Sequence, residues 1–187
     1  MNAAVSITQL LDRAGSGDRG AWGHLVELVY PDLKRLARSS LSGHGERTLN
    51  TIALVHECYL RLSQAGGAPR DRGHLMSLAV RIMRQVLIDH ARERLAVKRG
   101  GGLAAVAIDD AQLADERQFE TLVEIDAALS RLAAIEPRQA QVFEHRYFGG
   151  LNDDETATAL GISPRTVHRD WDAGRQWLAA NLSEAAG

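Results

Sequence analysis

Apolar residues in this chain recur every three to four positions along almost its whole length, and nowhere do they alternate with polar ones over a run long enough to build a sheet. Proline, which would interrupt the pattern, occurs only at positions 31, 69, 137 and 164. An all-α fold follows. Breaks at "GSGD", "SGHGE" and "GGAPRDRG" separate helices expected near Ser6–Arg13, Arg19–Leu41, Thr48–Ala65 and Gly73–Val97. The stretch "KRGGGLAAVAIDDAQLADE" then brings three consecutive glycines and scattered acids without an apolar period, and uncovered connections of that length are uncommon inside one compact domain. Helices resume around Phe119–Ala133, Pro137–Phe148, Asp153–Leu160 and Pro164–Asn181. The expected organisation is two small helical domains, 1–97 and 118–187, joined by a flexible acidic linker over 98–117 that is disordered by itself for want of apolar area.

Charge narrows the partners through its distribution, since the net value is only −2. Between Arg61 and Arg99 nine basic residues face three acids, Asp71, Asp89 and Glu93; from Gly100 to Asp126 seven acids face only Arg117. A basic block followed by an acidic one suggests a polyanion-binding segment beside a tether that does not bind. No stretch approaches the roughly 18 apolar residues of a membrane span, and the N-terminus lacks the basic start and apolar run of a signal peptide, so a cytoplasmic protein without a membrane partner is expected. The single cysteine, Cys58, lies within a helical pattern and is expected to be a buried hydrophobe. The seven histidines are scattered without zinc spacing, and HExxH, phosphate-loop and nucleophile-elbow motifs are missing, so no catalytic residue, metal or cofactor is expected.

The most specific motif is "LNDDETATALGISPRTVHRDWDAGRQWL", residues 151–178, which has the layout of a helix-turn-helix. Asn152 or Asp153 can cap a short helix, Gly161 can take the left-handed conformation, and Ser163 followed by Pro164 defines a sharp second start. Val167, Trp171, Gly174 and Leu178 form the buried stripe of the second helix, which leaves Arg165, His168, Arg169, Asp172 and Gln176 outside. Such motifs read the major groove with the N-terminal part of that helix, so Arg165, Thr166, His168 and Arg169 are the candidate base and phosphate contacts. Asp170 and Asp172 should partly neutralise Arg169 and Arg175, leaving the isolated domain with weak DNA affinity.

A second informative stretch is "RTLNTIALVHECYLRLSQ", residues 47–64. Ile52, Val55, Tyr59 and Leu62 form its expected buried stripe, opposite Asn50, Glu57, Arg61 and Gln64. Acidic residues usually favour a helix start, yet none occurs between Asn50 and His56, and Thr51 stands there instead. Further on, Arg81, Arg84, Gln85, Arg92 and Lys98 recur near helical spacing beside apolar Leu78, Ile82, Val86 and Ala91. That is a basic face of the kind that holds a nucleic-acid backbone.

Together, "LVHECYLRL", "HLMSLAVRIMRQVLIDHARER" and the terminal helix-turn-helix make nearly the whole chain resemble the extracytoplasmic-function group of bacterial RNA polymerase sigma factors. The resemblance implies a first domain that docks on the clamp of core RNA polymerase and helps melt promoter DNA, and a second that binds the minus-thirty-five element. Residues 54–62 are similar to the family's docking helix "LVQEVFLRL", which makes Leu54, Val55, Glu57 and Arg61 the expected polymerase contacts. Residues 81–89 are similar to "RIARNLAID" and place Arg81, Arg84, Gln85 and, further along, Arg92 at promoter DNA. The loop 65–73 resembles the family's base-capturing specificity loop in position. Where the family commonly carries "DAED", this chain has Asn50, Thr51, Ile52 and Ala53. A phosphate on Thr51 would restore the missing charge, which implies a Ser/Thr protein kinase as a partner, with an anti-sigma factor as the competing mode of control. Thr51 as a simple capping hydroxyl is the plain alternative. The rival to a promoter-specificity subunit is a sigma-like decoy that binds regulators without initiating transcription.

Overall fold

The computed structural model describes residues 6–42, 49–64, 69–100 and 110–183, all helices and short turns with no strand among them. Eight helices follow in order: α1 (Ile7–Gly15), α2 (Arg19–Leu41), α3 (Thr51–Gln64), α4 (Arg72–Gly100), α5 (Asp110–Ile135), α6 (Pro137–Tyr147), α7 (Asp153–Leu160) and α8 (Pro164–Ser183). Helix α1 starts in a reciprocal capping box, the Gln9 amide donating to Ser6 Oγ while the Ser6 amide donates to Gln9 Oε1. Helix α2 runs through Pro31, a position that can give no backbone hydrogen bond.

Helices α1–α4 pack on one another as a first bundle and α5–α8 as a second, and α4 joins the two by packing on α5, α6 and α7 as well as on α2 and α3. The expected 98–117 linker is shorter than its composition suggests: α4 continues to Gly100 and α5 begins at Asp110, while residues 101–109 lie outside the described ones. Good helix formers in "DAQLADERQ" explain why α5 starts early.

The buried stripe of α3 is also displaced from the expected one. Leu54, Val55, Cys58 and Leu62 are buried, whereas Ile52, expected inside, is 62% exposed on the first turn. Cys58 is buried as expected, its Sγ 3.8 Å from the Ala79 carbonyl, and burial pushes its thiol up to about 12, so it is neither nucleophile nor ligand at neutral pH.

One apolar core runs through both bundles. Helix α4 buries Leu75, Ala79, Val80, Met83, Leu87 and Ala91, and Phe119, Leu122, Leu129, Phe143 and Phe148 of the second bundle join the same cluster. Polar contacts cross the seam as well: the Ser40 hydroxyl donates to the Phe148 carbonyl, and the buried His145 places Nε2 2.9 Å from Ser77 Oγ and Nδ1 2.8 Å from the Gln141 carbonyl. Burial holds the His145 pKa below the ordinary imidazole value, against smaller upward contributions from the Gln141 carbonyl and Glu144. Burial and then Arg94 do the same for His90, which meets the Phe119 ring edge-on at 6.0 Å.

Two outcomes follow for stability. Leu54→Ala, at a fully buried position, is expected to cost about 2–5 kcal/mol in denaturant unfolding, and Ile52→Ala within about 0.5 kcal/mol. Because the unfolded chain takes up protons on His145 and His90 near pH 6.5 that the folded chain does not, stability falls as pH drops through about 6.5. The thermal midpoint should therefore be lower at pH 5.5 than at 7.5, and His145→Gln should narrow that gap; an unchanged gap in the variant would contradict the assignment.

Candidate nucleic-acid interface

The helix-turn-helix is assembled by local rules. Asn152 caps α7 in a second reciprocal box, the Glu155 amide donating to Asn152 Oδ1 at 2.9 Å and the Asn152 amide to Glu155 Oε2 at 3.0 Å, with Asp153, Asp154 and Glu155 in the first turn. Gly161 ends the helix at φ +66°, a conformation that suits glycine. Ser163 Oγ then accepts the Thr166 amide at 3.2 Å and starts α8. Val142, Ala157 and Val167 form the small core of the motif, closed by Leu160, Ile162 and Trp171.

On the outer side, Arg165, Thr166, His168, Arg169 and Asp172 line one shallow depression, so the four expected contacts of α8 are brought together. Arg165 is exposed, Thr166 is half-buried against Ser163, and His168 is 69% exposed between the carboxylates of Asp153 and Asp172. The depression is mixed in charge, with three basic or titratable donors around one acid.

Asp170 is not part of that surface, contrary to the expectation that it would blunt phosphate attraction from outside. It is buried, receives Arg138 of α6 through Nε and Nη2, and receives Arg169 at 3.0 and 3.2 Å. Burial pushes its carboxyl up, but the Arg138 and Arg169 hydrogen bonds and charges outweigh this and hold it below the usual carboxylate range. Asp170 thus ties α8 to α6 and holds the Arg169 guanidinium through its Nε and Nη2. Its position was legible: it lies three residues after Val167 and four before Gly174, on the buried stripe. Trp171 adds a second tie, stacked on Phe143 at 5.2 Å with the Arg146 and Arg175 guanidinium groups 4.7 and 5.6 Å from its ring.

The basic face of α4 is divided. Arg81 and Gln85 are exposed, and Arg92 is 56% exposed with Nη2 2.9 Å from Asp126 Oδ2. Arg84 is drawn inward, its side chain 16% exposed and paired with Asp126 and Glu144. No periodicity within α4 reveals this pairing, because both partners belong to the other bundle.

On α3, Leu54 and Val55 are buried at 0% and 3%, so as they stand they cannot be the direct polymerase contacts the resemblance implied; they hold the helix in place. Glu57 and Arg61 do reach the surface, paired at 2.8 Å, and Arg61 also meets Asp89 at 3.3 Å. The exposed apolar side chains of this helix are Ile52 and Leu60. At its start Asn50 Oδ1 accepts the Ala53 amide at 2.8 Å, so Asn50 is the cap and Thr51 is a half-buried first-turn residue. Of the loop at 65–73, residues 65–68 lie outside the described ones; Asp71 Oδ1 accepts the His74 amide at 2.8 Å and opens α4.

Among the described residues no group of histidine, cysteine and acidic side chains could hold a metal ion, and no helix is long and apolar enough to cross a membrane. No curated protein matches the sequence. Among solved structures the chain is similar to CnrH, determined in complex with the cytosolic domain of CnrY, at 21% identity over 94% of this chain and 96% of that one, with a TM-score of 0.42. The family model described as ECF sigma factor matches residues 4–184, almost the entire sequence. The chain therefore belongs to the ECF sigma factors, the polymerase-binding and DNA-binding proteins that act in transcription initiation.

Proposed function

We propose that this sigma factor selects a two-part promoter, with Arg165, Thr166, His168 and Arg169 of α8 reading the upstream element in the major groove. The observation that carries the reading is the gathering of these four side chains on the outer face of a fully capped helix-turn-helix. Arg165 is the best base reader of the set, since Arg169 is already bonded to Asp170 and is better suited to a backbone phosphate. Arg81, Arg84, Gln85 and Arg92 of α4 take the strand released when the duplex opens. Docking on the polymerase clamp uses the outer side of α3, through Glu57 and Arg61, with Leu54 and Val55 supporting from beneath.

Activation by phosphorylation of Thr51 completes the proposal. Its support is chemical: the first turn of α3 carries no acid, its cap is supplied by Asn50, and a phosphate adds about −1.5 to −2 charges where the macrodipole favours anions. The hydroxyl is thus not needed for the helix start. A Ser/Thr kinase is the implied partner.

A bidentate base contact is worth about 1–3 kcal/mol, so Arg165→Ala in reconstituted holoenzyme should relax selection at one upstream position in a randomised-promoter binding experiment and leave polymerase affinity unchanged. Loss of polymerase affinity would place Arg165 in a different role. For Thr51, stoichiometrically phosphorylated chain should bind core polymerase more tightly than Thr51→Ala, with Thr51→Glu between them because a carboxylate carries one charge. Equal affinities of the phosphorylated chain and the alanine variant would remove the switch.

A further inference from the structure

We infer that the basic face of α4 has two mutually exclusive occupants, an opened nucleic-acid strand and the chain's own Asp126 and Glu144, so that the free sigma factor holds itself closed. The inference rests on the reading of Arg84 and Arg92 as strand-facing residues.

The Arg84 guanidinium is committed on every edge. Nε and Nη2 donate to Asp126 Oδ1 at 3.0 and 2.6 Å, Nη2 also reaches the Asp126 carbonyl at 3.3 Å, and Nη1 donates to Glu144 Oε1 at 2.8 Å. The Phe148 ring lies 5.6 Å from its centre. Arg92 takes the other oxygen of Asp126. These are the donors, in the forked geometry, with which arginine grips a phosphate, and here two carboxylates fill them. With the side chain 16% exposed, a backbone phosphate reaches Arg84 only after α5 and α6 move away.

The seam is built to close in one way and to part. Backbones approach closely: a Cβ on Gly73 would lie 3.2 Å from the Thr158 carbonyl oxygen, and one on Gly150 would lie 2.4 Å from Ser39 Cβ. Arg35 of α2 and Glu155 of α7 add an ion pair at 3.0 Å. Because desolvation cancels much of the attraction in a buried ion pair, Arg84 with its carboxylates gives register at small net stability, and the apolar core shared across the seam is what a competing polyanion or polymerase surface has to overcome to separate the bundles.

The test uses the full chain labelled at Glu27→Cys on α2 and Ala180→Cys on α8, both exposed positions, while the buried Cys58 thiol stays unlabelled. Energy transfer between the dyes reports closure, and a fluorescent single-stranded deoxyoligonucleotide reports binding. Two variants act by different means: Asp126→Asn with Glu144→Gln removes the competing charge, and Gly73→Leu wedges the seam without changing charge. Both should lower transfer and raise oligonucleotide affinity about tenfold, the worth of one charge-assisted contact regained. Arg84→Gln added to the wedge should cancel the gain. Unchanged transfer in both variants would overturn the self-closure. Lowered transfer with unchanged affinity would overturn the strand-facing reading of Arg84, and the competition with it.

Discussion

Helix α4 is buried on two sides, packed on α2 and α3 by one and on α5, α6 and α7 by the other. A surface helix normally hides one stripe, but α4 hides Leu75, Ala79, Val80, Met83, Leu87 and Ala91 within a core to which both bundles contribute. Its remaining face forms the seam through Arg84 and Arg92 and leaves Arg81 and Gln85 outside. That is why basic side chains with a functional reading lie a turn or less from core residues, and why the same helix can be sensitive to how the second bundle sits.

Within the second bundle, α8 is oriented by charge placed inside the fold. Asp170 with Arg138 links α8 to α6, and Trp171 between Phe143 and two guanidinium groups links it again. An exposed acid at that place would have weakened the approach of DNA. As a buried acceptor it instead spends its charge on two arginines and leaves Arg165 and His168 outward. The helix-turn-helix is therefore a firm platform, held by contacts that leave its outer face unspent.

Much of this was legible in the residues because it is local. Helix order follows from apolar period, and the caps at Asn152 and Ser163 and the glycine at 161 follow from backbone chemistry within four residues. The stripe of α3 is not set by periodicity alone: Ile52 and Leu54 are equally apolar, and which one faces inward depends on where the first turn meets α2 and α4. Asp170 could have been placed by spacing alone. Arg84 could not, because its partners lie 42 and 60 residues away in a bundle whose docking no periodicity encodes. Sequence thus supplied the groups proposed for a nucleic-acid surface, and only the packed chain showed which of them are already occupied.

A sigma factor that directs initiation, rather than merely binding polymerase or its regulators, brings core polymerase to defined start sites. Transcription by purified core polymerase on a pool of supercoiled templates, with start sites sequenced in the presence and absence of the chain, reads this out. Starts should appear only with the chain and share an upstream element at fixed distance, with the highest yield from chain phosphorylated on Thr51. Tight binding to core polymerase without any chain-dependent start, phosphorylated or not, would rule out the promoter-selecting role.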